Sequence, residues 1–162
     1  MQTESFNFHL LLHSANLVGE QLRQKLADIG VSQSQARVLD ALARMGAVSQ
    51  VTLVREFGIT PASMSTMTAR LIEAGYISRM VDPAEARSNI VELTPKGRDL
   101  LADIYAAWQE IDTLIKDTMG AEDASQLADL TRSLLERLGG KAPSRSAPTD
   151  TNDNAIARLN HQ

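Results

Sequence analysis

The run from Pro61 to Arg70, Pro-Ala-Ser-Met-Ser-Thr-Met-Thr-Ala-Arg, sorts into two kinds of residue when set on a helix. At helical spacing Met64, Met67, Thr68 and then Leu71 share one face. The opposite face carries Ala62, Ser63, Ser65, Thr66, Ala69 and Arg70, with Pro61 ahead of it. Small hydroxyl side chains let a helix backbone come close to a DNA groove and can donate to phosphates or base edges. The amide groups at the start of such a helix also favour a phosphate. Exposed helix faces are usually filled with Glu, Lys and Arg, yet nothing between Pro61 and Ala69 is charged. Serine and threonine on a helix often form no more than a solvated face. The charged loop from Asp82 to Arg87, one hairpin later, turns the reading toward DNA.

Arginine is the side chain suited to forked contacts with phosphates and bases. Residues 32–94 carry six cations, Arg37, Arg44, Arg55, Arg70, Arg79 and Arg87, and none is lysine. The candidate DNA-binding set is therefore Arg37, Pro61, Ala62, Ser63, Ser65, Thr66, Ala69, Arg70, Arg79 and Arg87.

Other chemistry is weakly represented. His9 and His13 stand four apart, a metal-ligand spacing, but no acidic or histidine partner lies at a useful distance in sequence. They read as interface or pocket-lining residues. Asp99, Asp103, Glu110, Asp112 and Asp117 scatter around one helix and read as a solvated face. Trp108 continues an apolar seam and reads as packing. No nucleophile–base arrangement, nucleotide loop or paired carboxylates stand out, so the expectation is no enzyme, no cofactor and no metal.

The elements that must position the hydroxyl face follow from periodicity and caps. Leu11, Ala15, Val18, Leu22, Leu26 and Ile29 step by three or four, predicting a helix from Phe6 to Ile29 that is stopped by Gly30. Ser32 and Gln35 form a capping box for a helix with Ala36, Leu39 and Leu42 inward, ending at Gly46. Ser49 caps a short helix with Val51, Leu53, Val54 and Phe57 as its apolar positions, stopped by Gly58. Thr60-Pro61 opens the next, which runs to Gly75. Tyr76 to Val81 and Ser88 to Leu93 are β-rich and predict a hairpin. Thr94 caps a long helix with a seam of Leu101, Ile104, Trp108, Ile111, Ile115 and Met119, and Gly120 breaks it. A last helix carries Leu127, Leu130, Leu134 and Leu138.

Three short helices and a two-stranded hairpin are the order of a winged helix-turn-helix. The fold class expected is mainly α with a small β-hairpin wing, joined to a helical dimerisation region. The expected domains are 1–31, an N-terminal dimerisation helix; 32–94, the DNA-binding domain; 95–140, C-terminal dimerisation helices; and 141–162, a disordered tail.

Composition agrees with this. The chain has 162 residues, is 43% hydrophobic but 4% aromatic, and holds no cysteine, which excludes disulfides and thiolate metal sites. The formal net charge of -4 argues against bulk nucleic-acid binding, but its distribution matters. Residues 32–94 balance six arginines with six carboxylates, whereas residues 95–138 set five cations against nine carboxylates. With no basic leader and no run long enough to span a membrane, a cytoplasmic protein without membrane contact is expected.

At this point the chain resembles a family. The hydroxyl-rich helix ending at Leu71 and Gly75, the loop Asp82-Pro83-Ala84-Glu85-Ala86-Arg87 and the exit Val91-Glu92-Leu93-Thr94-Pro95-Lys96-Gly97 are similar to the core of the MarR family of bacterial transcription regulators. The resemblance extends over about residues 5–138. It departs where Ala86, Met80 and Thr66 stand in place of residues that are often basic, so Arg87 is nearly alone in the wing.

The resemblance implies a homodimer built from the first helix and the last two, with each recognition helix in a major groove and each wing along a minor groove of a pseudo-palindromic operator. It also implies a small aromatic or anionic effector in a cleft between the two regions, for which His13 and Leu17 are the candidate lining residues. The expected function is a ligand-responsive regulator, a repressor, of double-stranded DNA. The alternative is a helical dimer that binds a protein partner or sequesters a ligand.

Overall fold

The computed structural model describes residues 6–81 and 89–141. The loop 82–88 and the predicted tail beyond Lys141 lie outside the described residues. Helix α1 spans Asn7–Asp28, α2 Gln33–Met45, α3 Gln50–Phe57, α4 Pro61–Glu73, α5 Pro95–Met119 and α6 Ala121–Arg137. Strands β1 (Val48–Ser49), β2 (Ile77–Val81) and β3 (Asn89–Leu93) form one antiparallel sheet in the order β1-β3-β2. This is the mainly helical winged helix-turn-helix that the periodicities predict. One strand was not foreseen: β1 pairs Val48 with Val91 and Ser49 with Ile90, turning the hairpin into a three-stranded sheet.

The helices begin where side chains can take their unpaired amides. Ser32 and Gln35 make the full capping box of α2. Ser49 accepts from Thr52 N–H, Thr60 from Ser63 N–H and Thr94 from Gly97 N–H, each through its hydroxyl oxygen. Proline follows the cap in α4 and α5.

The described residues divide into two compact units, one ending at Gly120 and one beginning at Ala121. In the first, Leu26, Leu39, Leu42, Leu53, Met64, Leu71, Ile77, Val91 and Ile104 are fully or almost fully buried and bring α1, α2, α3, α4, α5 and the sheet around one core. The apolar stripe of α1 enters that core only at its C-terminal end. Leu26 is buried, whereas Phe6, Phe8, Leu10, Leu12 and Leu17 are exposed, Leu17 at 72%. The seam of α5 behaves similarly: Leu101, Ile104 and Ile111 are buried and Met119 is exposed. Of the apolar positions expected in α3, Val51 faces outward, because on eight residues only Leu53 reaches the core fully.

The second unit contains α6, which buries none of its residues. Leu127, Leu130, Leu134, Leu135 and Leu138 are all exposed. No helix of the described residues is long and apolar enough to cross a membrane.

Candidate nucleic-acid interface

The hinge between α3 and α4 is short and sharp. Gly58 has φ of 61°, a left-handed conformation that costs glycine little, and its N–H closes α3 on the Val54 carbonyl. Two residues later Thr60 starts α4. Its inner face is pinned by Met64, Thr68 and Leu71, all completely buried. Thr68 is the polar member of that face, and its hydroxyl donates to the Met64 carbonyl at 2.9 Å and the Ser65 carbonyl at 3.1 Å. The burial of this face turns Pro61, Ala62, Ser63, Ser65, Thr66, Ala69 and Arg70 outward, and every one of them is exposed.

The hydroxyls on the outer face are not equivalent. Thr66 donates to the Ala62 carbonyl at 3.1 Å, which leaves its oxygen as an acceptor for a base amino group. Ser63 accepts from the Thr60 hydroxyl at 2.9 Å, so its own O–H remains a donor. The Ser65 hydroxyl makes no hydrogen bond among the described residues and can turn either way.

Two open clefts flank α4, and they divide the candidate residues between them. On one side a cleft of about 420 Å³ is lined by Ser63, Thr66, Met67 and Arg70, facing Ser32, Ser34 and Gln35 at the start of α2. On the other a cleft of about 240 Å³ is lined by Pro61, Ser65 and Arg79, together with Gln50, Val51, Val54 and Asn89. The first cleft thus combines two hydroxyls of α4, and the second one, with one exposed arginine each. Arg79 reaches its place because its strand pairs it with Val91, next to the buried heart of the sheet. Arg37 stands apart from both clefts, with its guanidinium 5.2 Å from the centre of the Phe57 ring. Arg87 falls outside the described residues.

Sequence reasoning missed the polar residues that face α4 across the clefts. Ser32 and Gln35 were legible as a cap but not as a cleft wall. Gln50 and Asn89 carried no signal, since they meet Ser65 only through tertiary folding. The candidate effector residues His13 and Leu17 are exposed on α1 and line neither cleft. His13 belongs to a row of rings on that helix, with His9 to His13 at 6.4 Å and Phe8 to His9 at 4.1 Å between centroids.

Behind α4 the domain is tied to α5 by polar contacts. Tyr105 of α5 donates to Asp40 of α2, whose other carboxylate oxygen accepts from Arg44 at 3.1 Å. Lys25 of α1 pairs with Glu110 of α5. At the far end of α4, Thr94 and Lys96 donate to the carbonyls of Gly75 and Ala74.

Comparison with known proteins places this geometry. A family model described as MarR family matches residues 29–88, which hold α2, β1, α3, α4 and β2. The transcriptional regulator HosA of Escherichia coli O111:H- is 26% identical over 128 residues, covering 79% of this chain and 93% of that protein. An HTH-type transcriptional repressor of Mycobacterium tuberculosis is 24% identical over 131 residues, covering 81% and 91%. A crystal structure of a probable transcriptional regulator from Pseudomonas aeruginosa superposes with a TM-score of 0.68 at 27% identity, covering 81% of this chain and 96% of that one. The S. aureus MepR–DNA complex gives a TM-score of 0.72 at 19% identity over 83% and 99%, a likeness of fold. With a MarR-family match across the helix-turn-helix and regulators aligned along about four-fifths of its length, the chain is similar to the MarR family.

Proposed function

We propose that the protein is a DNA-binding transcriptional regulator that acts as a dimer, represses, and responds to a small ligand. The observation that carries this is the outer face of α4: exposed, uncharged from Pro61 to Ala69, rich in hydroxyls, and flanked on each side by a cleft holding one arginine. A charged face would repel or bind without selection, whereas hydroxyls and small residues let a helix seat against base edges. The relatives' names, which include regulators and a repressor, support the same reading. Transcriptional regulators are not enzymes, and the proposal gives no residue a catalytic role and the protein no cofactor.

In this proposal residues 32–94 bind double-stranded DNA, while 1–31 and 95–140 form the contact with a second copy. The exposed leucines of α6 and the exposed phenylalanines and leucines of α1 support that assignment, because an apolar surface of this kind is normally covered. His13, the last of the ring row of α1, and Leu17, one turn further on, are the proposed lining for a small aromatic or anionic effector. A cytoplasmic location follows from the DNA target.

The test is binding to the DNA upstream of the gene across a salt series. A specific complex whose affinity falls steeply with salt supports the regulator. Equal, weak binding to every duplex removes it in favour of a helical dimer that serves a protein partner or holds a ligand.

A further inference from the structure

The last carbonyls of an α-helix have no partner within it. Backbone N–H groups of Ala74, Gly75 and Tyr76 take the Arg70, Ile72 and Leu71 carbonyls of α4, and the carbonyls of the C-cap Ala74 and of Gly75, just past the helix, are taken by side chains from the start of α5. The Thr94 hydroxyl donates to the Gly75 carbonyl at 2.6 Å, and Lys96 Nζ donates to the Ala74 carbonyl at 2.8 Å. The same Thr94 oxygen accepts the Gly97 N–H at 3.1 Å as the N-cap of α5. One hydroxyl therefore joins the turn that leaves α4 to the N-terminal end of α5.

The intervening residue is held too. Thr94 N–H donates to the Tyr76 carbonyl at 3.1 Å, and the Lys96 ammonium lies 4.9 Å from the centre of the Tyr76 ring. Gly97 packs against the Tyr76 carbonyl so closely that a Cβ there would overlap its oxygen. Capping α5 needs only the Thr94–Gly97 bond. The donations to Gly75 and Ala74 lead away from α5 to the hydroxyl-bearing helix.

We infer that Thr94 and Lys96 are positioning residues, a clasp that fixes the axis of α4 to the axis of α5. The inference rests on the proposed reading of a dimeric DNA-binding regulator and extends it. If α5 belongs to the dimer contact, the clasp sets the separation of the two α4 helices, and with it the half-site spacing that an operator must offer.

The chain contains no cysteine, so two introduced ones report a single distance. Ala62→Cys on α4 and Asp112→Cys on α5, both exposed, carry nitroxide labels, and labelled chain is diluted into unlabelled chain so that only the distance within one chain is read. The parent gives one narrow distance distribution. Thr94→Val, which keeps the shape and loses the hydroxyl, broadens or shifts it; Thr94→Ser restores it; Lys96→Met broadens it independently. On unlabelled protein, an operator series with half-sites moved apart by single base pairs shows a parent preference of roughly tenfold, reduced to about threefold or less in Thr94→Val.

A Thr94→Val protein with lowered melting temperature but the parent's distance distribution overturns the clasp, and so does a parent-like spacing profile in both variants. A changed distribution in a chain whose parent binds no duplex selectively supports the clasp and overturns the DNA reading. Should Thr94→Val not fold, Lys96→Met against the parent decides by the same two readouts.

Discussion

The phenol of Tyr105 donates to the Asp40 carboxylate at 2.9 Å, joining α5 to α2 between residues far apart in sequence. Partial burial, then the bond to Asp40 and its charge, push the Tyr105 phenol up to about 12, with nearby Arg44 opposing. Because the folded value is raised above that of the unfolded chain, the associated stability is complete below roughly pH 10 and is lost as pH rises toward 12. In a Tyr76→Phe background, which leaves Tyr105 as the one tyrosine, phenolate absorbance should report a midpoint about that high, and Asp40→Asn should lower it. An ordinary tyrosine midpoint in the parent would mean that the contact is not made.

The bases are proposed to be read by Ser65 and Thr66, which line opposite clefts. Replacing both by alanine should weaken operator binding by about 1–3 kcal/mol and relax sequence preference. Since the two hydroxyls face different walls, the single changes should add nearly to the double one. An unchanged footprint and affinity in the double variant would show that another element reads the sequence.

Arg70 and Arg79 are proposed phosphate contacts, one per cleft. Arg70→Ala and Arg79→Ala should each flatten the slope of log affinity against log salt by about 1, with selectivity kept. Arg87→Ala should act in the same way if the wing reaches a groove. Parallel salt lines for all three variants and the parent would remove arginine from the interface.

Dimerisation can be separated from folding by burial. Leu17→Glu and Leu130→Glu change side chains exposed by 72% and 69% and should yield folded monomers by sedimentation. Leu26→Glu puts a carboxylate at a site with no exposure and should unfold the chain. A parent that sediments as a folded monomer would sink the proposed dimer.

Gly97→Ala should lower stability by about 1–3 kcal/mol in urea unfolding, because the new Cβ meets backbone that cannot swing aside. Equal midpoints for variant and parent would show that α5 can shift away from Tyr76 freely.

Local signals were legible and long-range ones were not. Ser32, Ser49, Thr60 and Thr94 could be read as caps because a cap is settled within three residues of sequence, and all four accept the amide expected of them. The two faces of α4 were likewise legible, since Met64, Thr68 and Leu71 repeat at helical spacing. Strand β1 was invisible, for two residues have no period and its reason for being is Val91, far along the chain. Gln50 and Asn89 escaped for the same reason: nothing near them in sequence indicates that they will stand beside Ser65. Periodicity alone does not show that the first half of α1 is exposed, because an apolar stripe looks alike whether its own chain or another covers it; the expectation of a dimerisation helix at 1–31 is what anticipated it.

The uncharged stretch from Pro61 to Ala69 on the outer face of α4 bears on searching as well as on recognition. Electrostatic attraction to phosphates is what holds a protein on arbitrary DNA, and residues 32–94 carry as many carboxylates as arginines. Without a field of lysines, such a domain lets go of wrong sequences quickly and is little depleted by the bulk of a chromosome. On the proposed reading, occupancy of a true site then depends on the hydroxyls and two clefts finding their matching base edges, so that a few molecules per cell serve a single locus while remaining free to leave it.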